Sequence, residues 1–354
     1  MAALLDRMAD GSANMVYTGE TPWHKEGVRI GGEDRFDFDG IMERHFGYPL
    51  EKRPYYMPAA GPDGAQVYVQ DGKGAAYIWR GDTGKNLGAV GSAYEIVTNR
   101  EAFEVLKPLI DSRLAAVETG GVLRDGADAW LMVKWNTDRF GADVRVVLDQ
   151  DGGIQPYSTV CANHSGRRGL LLGNTPIRIV CANTLAMAET DGNSRWVTIL
   201  HNQQAKANLV RAAEQMFAGV AQRYEVIARA YRLLMDTHLE DAMFNRLVLD
   251  VVAPRPQDDP KFNPEARMAG AVVERADRKR SELTRLWTQG KGHTGAKTCW
   301  YAYNAVAEAL DHNADLWPTR AGAWRTASLL DGQMAQAKNA VLDGLTEFAA
   351  KSAA

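Results

Sequence analysis

The sequence predicts an α+β fold: an antiparallel or mixed central sheet with hairpins, followed by a long amphipathic helix and a helical C-terminal region. Three observations carry this. The first two-thirds of the chain alternates β-branched and aromatic runs with glycine-rich turns; from Asn202 the apolar period switches to steps of three and four; beyond a proline-rich stretch at 253–264 the chain is alanine-rich. Strands that bracket a helix through short turns belong to this class. At 354 residues the chain has room for two domains, or for one large domain with an appendage.

Residues 1–62 read as an N-terminal arm ending in the proline-rich YPLEKRPYYMPAAGP (48–62). A sheet core spans 63–201. Its hairpins are expected from AQVYV (65–69), AAYIW (75–79) and AYEIV (93–97), with DGKG (71–74) and RGDTGKN (80–86) supplying the residues that tight turns need. NREAFEVLKPLIDS (99–112) predicts a helix capped by Asn99, with Phe103, Leu106 and Ile110 on one face. AWLMVKW (129–135), VRVVL (144–148), YSTVC (157–161) and IRIVC (177–181) predict further strands. The strings VCANH (160–164) and VCANT (180–184) look like two similar strand ends, neighbours in the sheet. Over 202–252, Leu209, Ala213, Met216, Val220, Tyr224, Ile227, Tyr231 and Leu234 mark one long helix, with a shorter one after it. The linker 253–264 holds four prolines, and helices at 265–288, 297–312 and 322–351 fill the C-terminal region, 265–354.

An apolar fraction of 45% and a charged fraction of 24% exclude a disordered or fibrous chain. Lys+Arg 41 against Asp+Glu 44 gives a net charge of −3, so nucleic acid can be held only by a local basic patch. Three cysteines (Cys161, Cys181 and Cys299) are too few for a disulfide framework and suggest a reducing compartment. The start lacks a basic and apolar leader, and no uninterrupted apolar run reaches membrane-spanning length. A cytoplasmic protein with no membrane partner is expected.

Motifs for catalysis are incomplete. GKGHTGAKT (290–298) misses the phosphate-binding loop pattern because Ala296 separates Gly295 from Lys297, and a helical segment precedes it. Cys161, His164, Cys181 and His201 lie near the strands, but only Cys161 and His164 have the close spacing of zinc ligands; no metal and no cofactor is expected. No G-x-S-x-G or H-E-x-x-H string occurs.

The informative constellation is basic. Arg167, Arg168, Arg178, Lys206 and Arg211 fall where few acids do, and NHSGRRG sets an arginine pair between glycines, able to bring guanidinium forks and backbone N–H groups to one phosphate. Arg178 follows Thr175-Pro176-Ile177 on a strand whose alternate residues Ile177 and Ile179 point to the core. A second cluster, Arg275, Arg278, Lys279 and Arg280, reads first as a solvated helix face. Trp23, Tyr55, Tyr56 and Trp196 are candidate base-stacking aromatics.

MVYTGETPWHKEG (15–27), WRGDTGKNLGAVGSAYEIVTNREAF (79–103), NHSGRRG with NTPIRIVCANTLAMA (174–188), and TCWYAYNAVAEALDH (298–312) occur in this order along the chain. Together they resemble the phage/plasmid-like protein family, catalogued as a domain of unknown function, with Trp23, His24, Asn163, His164, Asn183 and Asn304 in the matching strings. Ser165 stands where family members often carry an acid after the histidine. The resemblance implies a protein of mobile elements concerned with DNA metabolism, and by analogy of strand and helix order a single-strand annealing protein. Such a protein needs no catalytic group, only a groove that tracks one phosphate backbone and repeats by oligomerisation.

The expectation is therefore a homo-oligomeric, single-stranded-DNA-binding protein assisting annealing or recombination. Two alternatives stay open. One is an enzyme acting on nucleotides or nucleic acid, with Trp23–His24 and His164 converging on a pocket. The other is an accessory or counter-defence protein that binds a host protein.

Overall fold

The computed structural model describes residues 4–63, 65–140, 155–180, 184–185, 188–189, 194–290, 296–312 and 333–353. It has an α+β fold. The chain divides into two compact units: unit 1 is 1–139, 155–189 and 193–222, and unit 2 is 140–154, 190–192 and 223–354.

Unit 1 is built on a mixed seven-stranded sheet. Its strands are β1 (Met15–Tyr17), β2 (Val28–Arg29), β8 (Ala115–Leu123), β9 (Asp128–Trp135), β10 (Tyr157–Asn163), β11 (Leu170–Thr175) and β12 (Arg195–Ile199), in the order β12-β11-β10-β9-β8-β1-β2. All pairs are antiparallel except β1–β2. The N-terminal arm is thus a strand of its own sheet, with Val16 opposite Gly120. A three-stranded sheet takes β3 (Leu50–Pro54), β6 (Ala76–Arg80) and β7 (Lys85–Val90); β4 (Tyr56–Ala60) and β5 (Gln66–Gln70) form a separate hairpin.

Alternation along the central strands gives the sheet two apolar faces. One presents Met15, Trp130, Met132, Tyr157 and Cys161 and is covered by Ile179, Val180, Leu185 and Ala188. The other takes the short helices α1 (Phe38–Ile41), α2 (Asn99–Phe103) and α3 (Lys107–Asp111), and then α4 (Ala205–Ala218). Phe103, Leu106 and Ile110 are all fully buried, as their spacing predicts.

Four local expectations are corrected. AYEIV (93–97) is not a strand: the turn after β6 ends at Gly84, in the left-handed region (φ +68), and β7 starts directly after it. Tyr94 and Ile96 still pack on the cluster of Ala76, Ile78, Leu87 and Val90, so their side chains, not their backbone, serve the core. The helix cap lies one residue upstream of Asn99: Thr98 accepts from the Glu101 N–H while Glu101 accepts from the Thr98 N–H, a reciprocal capping box. Residues 177–180 belong to no strand, so VCANT is no strand neighbour of β10; 181–183 lie outside the described residues, as do VRVVL (144–148), residues 291–295 of the glycine-rich string and residues 322–332. The long helix is two, α4 and α5 (Val220–Asp236), with Gly219 between them. Leu209, Ala213 and Met216 are buried on α4, and Val220, Tyr224, Tyr231 and Leu234 on α5.

Unit 2 is helical as described: α6 (Asp241–Phe244), α7 (Asp250–Val252), α8 (Ala269–Gln289), α9 (Cys299–His312) and α10 (Gln333–Ala353). Its core joins Leu239, Phe244, Leu283, Trp287, Val306 and Leu345, and the Phe244 and Trp287 rings stack at 4.7 Å. The proline-rich 253–264 contains only a short 3-10 turn at Pro256–Asp258. Among the described residues no helix is long and apolar enough to cross a membrane.

Candidate functional site

One end of the unit 1 sheet concentrates buried polar side chains. There β10 turns into β11 through residues 164–169, and β12 arrives beside that turn, because Leu170 pairs with Ile199. Helix α4 begins at Ala205, six residues after β12 ends, so its basic residues start from this same end.

Alternation sends Asn163 and His164 to opposite faces. On the face of Cys161, Asn163 donates from Nδ2 to Asp128 at 2.6 Å. Arg168 bridges Asp128 (3.2 Å) and Glu189 (2.5 Å), and Arg124 also pairs with Asp128. Burial alone would raise the Asp128 carboxyl, but the Asn163 amide and the two guanidiniums outweigh it and hold the group below its ordinary value. Arg168 is thus charge-compensated from both sides.

On the helix face, His164 is fully buried, with Nε2 2.8 Å from Asn99 Oδ1. Asn99 Nδ2 donates to the Phe46 carbonyl at 3.2 Å, which orients the amide and makes His164 Nε2 the donor. The shift of the helix cap to Thr98 is what frees Asn99 for this role. Among the described residues His164 Nδ1 has no hydrogen-bond partner, and burial pushes the imidazole down to about 3, so the ring is neutral. Tyr94 stacks on His201 at 4.5 Å, and His201 Nδ1 lies 3.3 Å from the Glu95 carbonyl. Arg80 completes this end: it pairs with Asp6 (2.6 Å) and Asp82 (2.8 Å) and lies over the Tyr48 ring.

Against this buried frame one arginine is outside. Arg167 is exposed on the turn, follows Gly166 at φ +73, and has no ion pair among the described residues. A side chain at Gly166 would also meet the Ala89 carbonyl at 2.8 Å, so glycine is doubly required there. Arg211 is exposed on α4, likewise with no ion pair among the described residues; Lys206 is 61% exposed and pairs with Glu101.

Arg178 stands elsewhere. Its Nε donates to Glu118 (2.5 Å), while its other nitrogens donate to the carbonyls of Glu20 (2.9 Å) and Thr18. Glu118 also accepts from Thr18 Oγ1 at 2.8 Å. His24 continues the tie: the Glu26 N–H donates to Nδ1 (3.1 Å), so the proton sits on Nε2 and is donated to the Val180 carbonyl at 3.0 Å. The N-terminal string thus clips the segment that covers the sheet. His24 and His164 are engaged on opposite faces and are not brought together.

The remaining candidates divide. Trp23 (56% exposed) and Tyr56 (53%) are open to solvent, Tyr55 packs on Tyr77, and Trp196 donates to the Ala188 carbonyl at 2.8 Å. In unit 2, Arg280 is committed to Asp250 and the Ala253 carbonyl (3.0 Å each), Arg278 reaches Glu274, Lys279 is partly buried and Arg275 is exposed. Arg280 borders a cleft of roughly 640 Å³ shared with Arg255, Asp250 and Asp258, whose charges balance. Asn304 is partly buried on α9; Asn183 and Cys181 lie outside the described residues. Burial drives the Cys161 thiol up, away from thiolate chemistry. Among the described residues no group of three or more His, Cys, Asp or Glu could hold a metal ion. Lys297 donates to both Asp241 oxygens at 2.7 Å.

The chain belongs to the family described as Domain of unknown function (DUF932), whose model matches residues 86–340. No curated protein and no solved structure matches it. The matched region starts within β7, so the clip at 18–24 and the strand β1 stand upstream of it.

Proposed function

We propose that this is a DNA-binding protein of phage- and plasmid-type mobile elements that acts as a homo-oligomer, holds single-stranded DNA and assists strand annealing or recombination. The observation that carries the reading is the exposed, acid-free Arg167 on a glycine-flanked turn, at the sheet end where α4, the helix that bears exposed Lys206 and Arg211, begins. A phosphate backbone is bound by such uncompensated cations, whereas a guanidinium already shared between carboxylates has little charge left to offer. On this reading Arg167 and Arg211, which have no ion pair among the described residues, face the DNA, and Lys206 joins them by exchanging its solvent-exposed pair with Glu101 for a phosphate. Arg168 holds the turn, and Arg178 holds the covering segment on the other face of the sheet from α4.

The test is fluorescence anisotropy of labelled single-stranded and duplex oligonucleotides over a salt series. Single strands lose about 0.7 in the log–log salt slope for each phosphate contact removed. The Arg167→Ala/Arg211→Ala double variant is expected to weaken binding and flatten the slope by about 1.4 with an unaltered circular dichroism spectrum. Affinity and slope unchanged in that variant, or no binding by the wild type at low salt, would overturn the reading.

A further inference from the structure

The hairpin β4–β5 is unlike the rest of unit 1. Nearly all of its side chains are exposed, including Tyr56 (53%), Met57 (39%), Val67 (39%), Tyr68 (69%) and Val69 (45%). An isolated two-stranded ribbon is marginal in water unless something covers it. Over 55–70 the only charged residue is Asp63, at the turn. A nucleic-acid backbone or a charged partner has nothing to pair with on the strands themselves.

The ladder fixes which edge is open. Asp71 N–H donates to the Tyr55 carbonyl (2.9 Å) and Gly61 N–H to the Ala65 carbonyl (2.7 Å). Hydrogen-bonded pairs alternate in an antiparallel ribbon, so Met57–Val69 and Ala59–Val67 face inward as well. Tyr56, Pro58 and Ala60 therefore aim their backbone groups out of one edge, and Gln66, Tyr68 and Gln70 out of the other. Pro58 has no N–H, which blunts the β4 edge at its middle. The β5 edge is complete, and among the described residues no strand pairs with it.

That open edge reads Gln66-Val67-Tyr68-Val69-Gln70, the same in both directions about Tyr68. We infer that β5 pairs antiparallel with β5 of a second copy across a two-fold axis at Tyr68, making a continuous four-stranded sheet β4-β5-β5-β4. In that register every residue meets its own kind: Tyr68 faces Tyr68, valine faces valine and each glutamine faces a glutamine. The outward groups of Gln66, Tyr68 and Gln70 form about six new hydrogen bonds. The valines extend the apolar strip of Met57 and Ala59 across both copies, a cross-strand pairing of the favourable kind. The two edges left over are the proline-blunted β4 strands, so the contact is isologous and closes at two copies instead of growing into a fibre. The inference goes beyond the DNA reading and stands without it.

Sedimentation equilibrium of the full chain tests it. The expected mass is twice 38.9 kDa for the wild type, falling to 38.9 kDa for Tyr68→Lys, which sets two like charges face to face at the axis. Tyr68→Cys keeps the test sharp should the lysine variant misfold. Facing residues of a hydrogen-bonded pair sit about 5.5 Å apart, within disulfide reach. Mild oxidation should therefore give a covalent dimer from Tyr68→Cys and none from Ala60→Cys on the blunted edge. A wild type that stays monomeric at all concentrations, or a dimer that survives Tyr68→Lys, would overturn the inference. So would a Tyr68→Lys effect confined to DNA affinity with mass unchanged.

Discussion

At His164 the buried imidazole has exchanged its water for one hydrogen bond among the described residues, to Asn99, and Nδ1 finds no partner among them. Burial then favours the neutral ring so strongly that it holds off protonation down to about 3 instead of the ordinary 6.5. The direction of the consequence follows from linkage. Between those values the unfolded chain binds a proton that the folded ring refuses, so stability is complete above 6.5 and falls as pH drops toward 3. His45 and His201 are shifted downward by burial as well and add to the same slope. Within the window the His164 ring costs about 1.4 kcal/mol per pH unit. Urea unfolding across that range should show stability draining away with acid, and His164→Gln should flatten the dependence by about one proton. A slope indifferent to the substitution would mean that another group carries it.

At the scale of elements, the N-terminal string and the 177–180 segment hold each other through Arg178, Glu118 and His24. Removing the guanidinium leaves Glu118 buried without its counter-charge, a loss of about 3 kcal/mol for a broken buried pair. Arg178→Gln should accordingly lower stability and speed hydrogen exchange at 15–24, while leaving the salt slope of DNA binding unmoved. This exposes what the sequence could and could not reveal. Strands β5, β6, β9 and β10 and the apolar face of 99–112 were legible because β-branched runs and helical spacing report burial directly. β8, with its paired Gly120 and Gly121, was not, because a strand can use glycine where Trp130 and Phe46 press on it, and glycine carries no periodic signal. The basic patch was legible as a list of arginines but not as a site. Whether a guanidinium faces solvent or a carboxylate depends on Asp128, Glu118 and Glu189, which lie far away in sequence from Arg168 or Arg178 or outside any shared motif. The family strings followed the same logic: His24 and Asn163 both proved to be hydrogen-bonding ties.

For the molecule as a whole, a net charge of −3 over 354 residues supplies no general attraction for a polyanion, so the proposed affinity for DNA has to come from a local patch, for which Arg167, Lys206 and Arg211 of unit 1 are the candidates. The helical core of unit 2 has a separate source of stability. Leu283 is fully buried in a cluster made of unit 2 residues, among them Phe244, Trp287, Val306 and Leu345. Truncating a leucine in such a site costs the transfer of its methyl groups and the cavity left behind, about 2–5 kcal/mol. Leu283→Ala is therefore expected to reduce hydrogen-exchange protection throughout α8, α9 and α10, because packed helices sharing one core open together. The β9–β10–β11 ladder draws its protection from a different cluster, around Trp130, Cys161 and Leu171, and its amides should stay as slow as in the wild type. Anisotropy on the same variant then separates the roles of the two units. Single-strand affinity retained while unit 2 loosens would place DNA recognition in the turn at 164–169 and α4 alone. Affinity lost in step with α8–α10 protection would mean that the helical region contributes directly, with exposed Arg275 as the first residue to change.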